Sequence, residues 1–262
     1  MVRVALALLL MSIAPGAFAS AQVSVPAGQL RPFWIESRSE SGGRVVTERI
    51  PVKAFRADVR AVTNAEFAAF LRKHPRWQKA RVSPLFADES YLSQFNAEVL
   101  KAGARPDAPV SFVPWFAAKA FCESRGQRLP TTHEWEYMAA ASEDRPDASG
   151  DPRFLARILE WYSQPRSGEW LGAAPGRKNF YGIADLHGWI WEWVDDFNSN
   201  FVTGESREDS SFDRNMFCGA GGLSGGDKEN YAAFMRFAFR SSLNGRSAIW
   251  NLGFRCVEEL KP

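Results

Sequence analysis

Cysteine and histidine are scarce in this chain, with three of each in 262 residues. Three thiols allow one disulfide and one leftover. The histidines, at 74, 133 and 187, form no His-x3-His pair. No Gly-x-Ser-x-Gly elbow, phosphate-binding loop or His-Glu-x-x-His motif occurs, so serine-hydrolase, nucleotide-cradling and zinc-protease chemistries find no foothold. Nor is there a run of five or more Lys and Arg, and the formal charge is only +2. Nucleic acid and acidic membranes need clustered cations, so neither is expected as the main partner. No stretch approaches the ~20 apolar residues that span a bilayer. Internal repeats and low-complexity linkers are absent as well.

Aromatic residues are plentiful: ten Trp and twenty Phe stand beside 20 Gly and 15 Pro. This mixture implies irregular, loop-rich structure pinned by large rings. At the N-terminus, Arg3 precedes an apolar run from Val4 to Ile13, a Pro15-Gly16 break and Ala17-Phe18-Ala19. That order predicts a secretory signal peptide over 1–19, cleaved after Ala19 or Ala21. The mature chain, 20–262, is then expected as a single domain in the periplasm, an oxidising compartment. The lack of a cysteine at the cleavage site argues against a lipoprotein.

Along the mature chain a strand is expected over Arg44 to Phe55, with Pro51 placing part of it on an edge. Thr63 and Glu66 form a capping box, followed by Phe67, Phe70 and Leu71 at helical spacing, which predicts a helix over Asn64 to Lys73. A second helix is expected to start with Pro114 in its first turn and run through Cys122 to a stop at Gly126. Thr131 and Glu134 repeat the capping box and open a third helix through Ala141. Ser142 to Arg177 reads as a polar surface excursion with a helical patch at Phe154 to Trp161. From Asn179 onward, turns and short pieces are expected with few regular elements. Asp195-Asp196 and Glu205 to Asp213 read as solvated loops.

The order of these pieces resembles the formylglycine-generating enzyme family. The resemblance rests on Val62 to Phe67, Pro109-Val110, Arg128 to Thr131 with Glu134-Trp135-Glu136-Tyr137, Tyr181-Gly182-Ile183, His187-Gly188, Trp191-Glu192-Trp193, Gly221-Gly222, Arg240-Ser241 and Asn251 to Cys256. It runs from about residue 43 to the C-terminus. The resemblance implies an α+β, loop-rich fold distantly related to C-type lectins. Two departures stand out: the opening Phe-x-Met-Gly of many relatives is missing near Phe33-Trp34, and Trp189 replaces an Asn.

The resemblance also implies which cysteines pair, namely Cys122 with Cys256, leaving Cys218 as a buried inert thiol. Enzymes of this family hold Cu(I), a soft ion, with two cysteines five residues apart. Counted back from Arg240, those two positions are Asp227 and Ala232; counted forward from Gly221, they are Gly226 and Tyr231. None carries sulfur, so neither copper nor the three-histidine iron of related sulfoxide synthases is expected. The segment Asp185 to Glu192 resembles a family calcium loop, which implies Asp185, the Gly188 and Ile190 carbonyls and Glu192 as ligands of a structural calcium. The residues alone equally allow Asp185 to cap a turn and Glu192 to form an ion pair. Trp189, Trp191 and Trp193 alternate and are expected to be core and scaffold.

Taken together, the resemblance implies an exported, non-catalytic binding and signalling protein. Its expected partner is the periplasmic domain of a membrane threonine kinase that controls type VI secretion. The alternative is a periplasmic oxidoreductase that matures a siderophore chromophore, and a third reading makes the Gly219 to Tyr231 loop a lectin-like recognition surface.

Overall fold

A three-stranded antiparallel sheet joins residues from opposite ends of the sequence. Strand β1 (Gln22–Val25) pairs with β4 (Phe55–Asp58), which pairs in turn with β9 (Val257–Glu259). The computed structural model describes residues 20–31, 49–164, 170–197 and 231–260. Three further two-stranded pairs complete the strands: β2 (Gly28–Leu30) with β3 (Ile50–Val52), β5 (Phe95–Asn96) with β6 (Val99–Leu100), and β7 (Trp191–Glu192) with β8 (Leu252–Gly253). The last pair is parallel, aligning Trp191 with Leu252 and Glu192 with Gly253. Gly253 has no freedom to be anything larger, because a Cβ there would strike the Val110 carbonyl oxygen and the Ile190 side chain. The strand expected over Arg44 to Phe55 is two strands, split by Lys53 and Ala54, and its opening at 44–48 lies outside the described residues. Pro51 does sit in a two-stranded sheet, where its missing N–H costs no interior ladder bond.

Helix α1 (Asn64–Lys73) has the bounds its periodicity predicts. Its capping box closes with the Glu66 N–H donating to Thr63 Oγ1 at 3.3 Å and the Thr63 N–H donating to Glu66 Oε2 at 2.8 Å. Helix α3 (Thr132–Ala139) repeats the device with Thr131 and Glu134, but it ends short of the expected Ala141. In both, an arginine three residues before the capping threonine clamps the capping glutamate: Arg60 Nη1 to Glu66 at 2.8 Å, and Arg128 Nη1 to Glu134 at 2.7 Å. Helix α2 (Trp115–Glu123) uses Pro114 as its N-cap residue, one position earlier than expected. Beyond it, Gly126 takes the left-handed conformation, φ +70°, that stops the turn. Helix α4 (Pro152–Ser163) covers the patch foreseen at Phe154 to Trp161 and buries Phe154 and Ile158. A fifth helix, α5 (Tyr231–Ser241), corrects the expectation that few regular elements follow Asn179.

The core gathers around stacked and edge-on phenylalanines, Phe67 with Phe121 at 5.8 Å and Phe121 with Phe254 at 5.3 Å between ring centroids. Beside it a disulfide joins Cys122 on α2 to Cys256, the residue before β9. It closes a loop with a sequence separation of 134, for which chain entropy alone gives about 5 kcal/mol. Cys218 lies outside the described residues.

Asp196 has a structural role beyond its reading as part of a solvated loop, whereas Asp195 keeps a partly solvent-exposed side chain; Glu205 to Asp213 lie outside the described residues. Asp196 accepts from the Thr132 N–H at 2.7 Å and the Thr132 hydroxyl at 2.8 Å, adding an anion to the first turn of α3. Asp195 pairs with Lys119 at 3.0 Å.

Candidate functional site: a buried charge cluster beneath an aromatic cavity

The segment from Asp185 to Glu192 lies where α3, α4, α5 and β8 converge. Asp185 adopts a left-handed conformation, φ 55°, which Asp tolerates better than most residues. Its carboxylate accepts the Gly176 N–H at 2.8 Å and the Arg177 N–H at 3.0 Å. Gly188 is also left-handed, φ +77°, and a Cβ at this position would collide with the Trp161 side chain of α4. The turn therefore presses directly on the helix.

His187, between them, is buried. A carbonyl oxygen only accepts, so the 2.8 Å contact with Ala139 O makes Nε2 the donor. Burial, reinforced by the nearby Arg236 charge, drives the imidazole pKa down to about 3. The ring is therefore neutral, and the turn that carries it is anchored to α3.

Glu192 closes the segment on β7 and is fully enclosed. Its Oε2 accepts Arg255 Nε and Trp135 Nε1, each at 2.8 Å, while Oε1 accepts Arg255 Nη2 at 2.8 Å. Arg255 is equally enclosed and donates further to the Ala184 carbonyl at 2.9 Å. The expected calcium set does not fit this arrangement. Both Asp185 oxygens are bound to backbone N–H groups, both Glu192 oxygens to side-chain donors, and a guanidinium already supplies the positive charge. Among the described residues, no group of three or more His, Cys, Asp or Glu side chains converges to hold a metal ion.

Next to this pair sits a second buried ion cluster that the sequence did not reveal. Glu136 of α3 receives Arg236 Nε at 2.9 Å and Arg240 Nη1 at 2.9 Å, both from α5. Arg236 Nη1 also donates to the Tyr162 hydroxyl of α4 at 3.2 Å. Burial opposes ionisation of Glu136, but the two guanidiniums outweigh it and hold the carboxyl below the usual glutamate range. For Arg240, burial is the stronger influence and lowers its pKa. One carboxylate thus serves two arginines, and the cluster carries one excess positive charge.

Of the two positions foreseen for the second sulfur, Tyr231 opens α5 and Ala232 follows it in the first turn. Ala232 is 2% exposed and packs in an apolar cluster with Ala148, Phe154 and Ile158. The companion position, Asp227, and most of the Gly219 to Tyr231 loop fall outside the described residues. With a methyl at the one position and a carboxylate in the sequence at the other, the pair does not fit a Cu(I) centre.

Above the charge clusters opens a cavity of about 240 Å³. Trp135, Trp161, Tyr162, Trp191 and Trp250 wall it, and Arg240 and Glu192 are among its lining residues, the Glu192 carboxylate itself staying enclosed. The three alternating tryptophans divide accordingly. Trp193 is core, fully buried and donating to the Val113 carbonyl at 2.8 Å, whereas Trp189 and Trp191 are only partly buried and line the cavity.

Residues 11–260 match the family model described as "Sulfatase-modifying factor enzyme 1-like domain". Formylglycine-generating enzyme of Bos taurus is 27% identical, over 92% of this chain and 75% of its own length. The Streptomyces coelicolor enzyme of the same name is 29% identical, over 83% of this chain and 82% of its own length. Inactive C-alpha-formylglycine-generating enzyme 2 of Bos taurus is 26% identical over 90% of this chain and 87% of its own length. Among solved structures, PvdO from Pseudomonas aeruginosa superposes with a TM-score of 0.47 at 17% identity, covering 91% of this chain and 94% of that one.

Proposed function

This chain belongs to the sulfatase-modifying factor enzyme 1-like family, and we propose that it is a non-catalytic binding and regulatory member of it. One observation carries the reading: the position of the second thiolate falls on Ala232 or Tyr231, depending on the landmark counted from, neither bears sulfur, and Ala232 is sealed in hydrocarbon between α4 and α5. A site without sulfur at that place offers a soft metal no grip. The similarity to a relative named as inactive supports the same direction, since this scaffold is kept without its chemistry in that protein.

The proposed setting is the periplasm, reached through the signal peptide at 1–19, and the proposed partner is the periplasmic domain of the membrane threonine kinase upstream of type VI secretion. In this the protein resembles TagR. The aromatic walls of the cavity and the buried ion pairs beside it support a binding role, since groups already fixed in the free protein lower the ordering cost of association. Immobilised kinase periplasmic domain is expected to retain the purified protein at micromolar concentration. No retention sinks the partner assignment. Conversion of a peptidyl cysteine to an aldehyde by the copper-loaded protein overturns the non-catalytic reading itself.

A further inference from the structure

The cavity between α3, α4, α5 and β7 has a chemistry of its own, and the binding-protein reading leaves its occupant unnamed. Its volume, about 240 Å³, exceeds the roughly 150 Å³ that accommodates a benzene ring in an engineered protein cavity. It therefore has room for one or two fused rings and a short substituent. The walls are flat and aromatic. Trp191 stands against Phe239 of α5 with centroids 4.7 Å apart and planes 24° apart, which fixes its orientation. Tyr162 leans on Trp191 at 5.2 Å. Trp250 is 45% exposed and forms the rim.

An aromatic box suits a cation when its ring faces are open. Here they are not. Arg240 already lies over Trp135 at 4.6 Å from the ring centroid, and Arg177 lies over Trp161 at 4.5 Å. A cationic guest would meet guanidiniums where it needs bare π-faces. The two charged residues that line the cavity differ in how they are matched. Glu192 is neutralised by a bidentate arginine with both oxygens engaged. Among the described residues, Arg240 has one carboxylate partner, Glu136, and shares it with Arg236. The charge in excess among them is positive, buried and at the cavity wall, where burial makes an anionic partner most welcome.

From this juxtaposition of an aromatic-walled cavity and an arginine in charge excess, we infer that the cavity binds a small planar aromatic carboxylate, its ring between the tryptophans and its carboxylate on Arg240. The inference rests on the binding-protein reading, to which it adds a small-molecule effector site.

Isothermal titration calorimetry of the full-length mature protein with three matched probes tests it: indole-3-acetate, neutral tryptophol and cationic tryptamine. The acid is expected to bind one to one in the micromolar range, tryptophol at least about tenfold more weakly for want of the charge-assisted bond, and tryptamine more weakly still. Trp250→Ala, at the exposed rim, is expected to weaken the acid about tenfold without moving the melting temperature. Arg240→Gln is expected to remove the preference for acid over alcohol while leaving tryptophol binding in place. If Arg240→Gln does not fold, the probe series and Trp250→Ala decide alone. Tryptamine binding as tightly as the acid, no heat from any probe at millimolar concentration, or a folded Arg240→Gln protein that keeps its preference for the acid overturns the inference. Kinase-domain retention with flat calorimetry removes the effector site and leaves the binding-protein reading standing; the reverse pattern removes the kinase partner instead.

Discussion

Arg255 grips Glu192 through two parallel hydrogen bonds of 2.8 Å, one to each carboxylate oxygen, with neither side chain reaching solvent. This pair fastens β7, the Ala184 carbonyl and the approach to β9 to one another. Removing one partner strands the other's charge in the core, which costs about 3–5 kcal/mol. Arg255→Met and Glu192→Gln are accordingly both expected to lower the denaturant midpoint sharply, the first leaving a carboxylate and the second a guanidinium unpaired in the core. Equilibrium urea unfolding of both variants measures this. A midpoint unchanged in Arg255→Met contradicts the role.

The same pair sets the expectation for calcium. Because Arg255 and Trp135 engage both oxygens of Glu192 and Arg255 neutralises its charge, and backbone donors engage both oxygens of Asp185, chelation with EGTA is expected to leave the melting temperature unchanged. Elemental analysis of the purified protein is expected to find no stoichiometric calcium. A fall of several degrees on chelation would show that the loop rearranges around an ion.

Acid weakens the fold through His187 and Glu136. The imidazole is held down to about 3 against an ordinary 6.5, so between these values the unfolded chain binds a proton that the folded chain does not. Stability is therefore full above about pH 6.5 and falls as the pH drops, by about 1.4 kcal/mol per pH unit at most. Glu136, held below its ordinary 4.5, adds to the loss from that point downward. Thermal melts from pH 7.5 to 4.5 are expected to show this decline, with a flatter curve for His187→Gln from about pH 6.5 to 5. Superimposable slopes would assign the acid sensitivity elsewhere.

Replacing both bridging cysteines, Cys122→Ala with Cys256→Ala, is expected to cost about 2–5 kcal/mol. Reducing agent is expected to lower the melting temperature of the parent and leave that of the double variant in place. A double variant as stable as the parent would make the bridge incidental.

What the sequence made legible was local. The capping boxes at Thr63 and Thr131 need only residues three apart, and both helices begin where those boxes place them. The Cys122–Cys256 pairing came from the family resemblance. The miss at α5 has a physical cause. Arg236 and Arg240 sit four apart on a helix, a spacing that usually marks a solvated face. Here that face points inward because Glu136, about a hundred residues earlier, waits for it. The sequence leaves Glu192 two options, calcium ligand or ion pair, and no neighbouring residue discloses which. Its partner is 63 positions away. Asp196 misled for the same reason: its capping target, Thr132, is 64 positions earlier.

β4 stands between β1 and β9, so the strand that holds β1 is itself flanked by one from the far end of the described chain. Arg255 and Cys256, the anchors of the buried pair and the bridge, arrive just ahead of β9. A nascent chain that has not yet reached these residues holds helices and rings but neither the buried pair nor the bridge, so the helices made earlier wait on this late segment to be fastened.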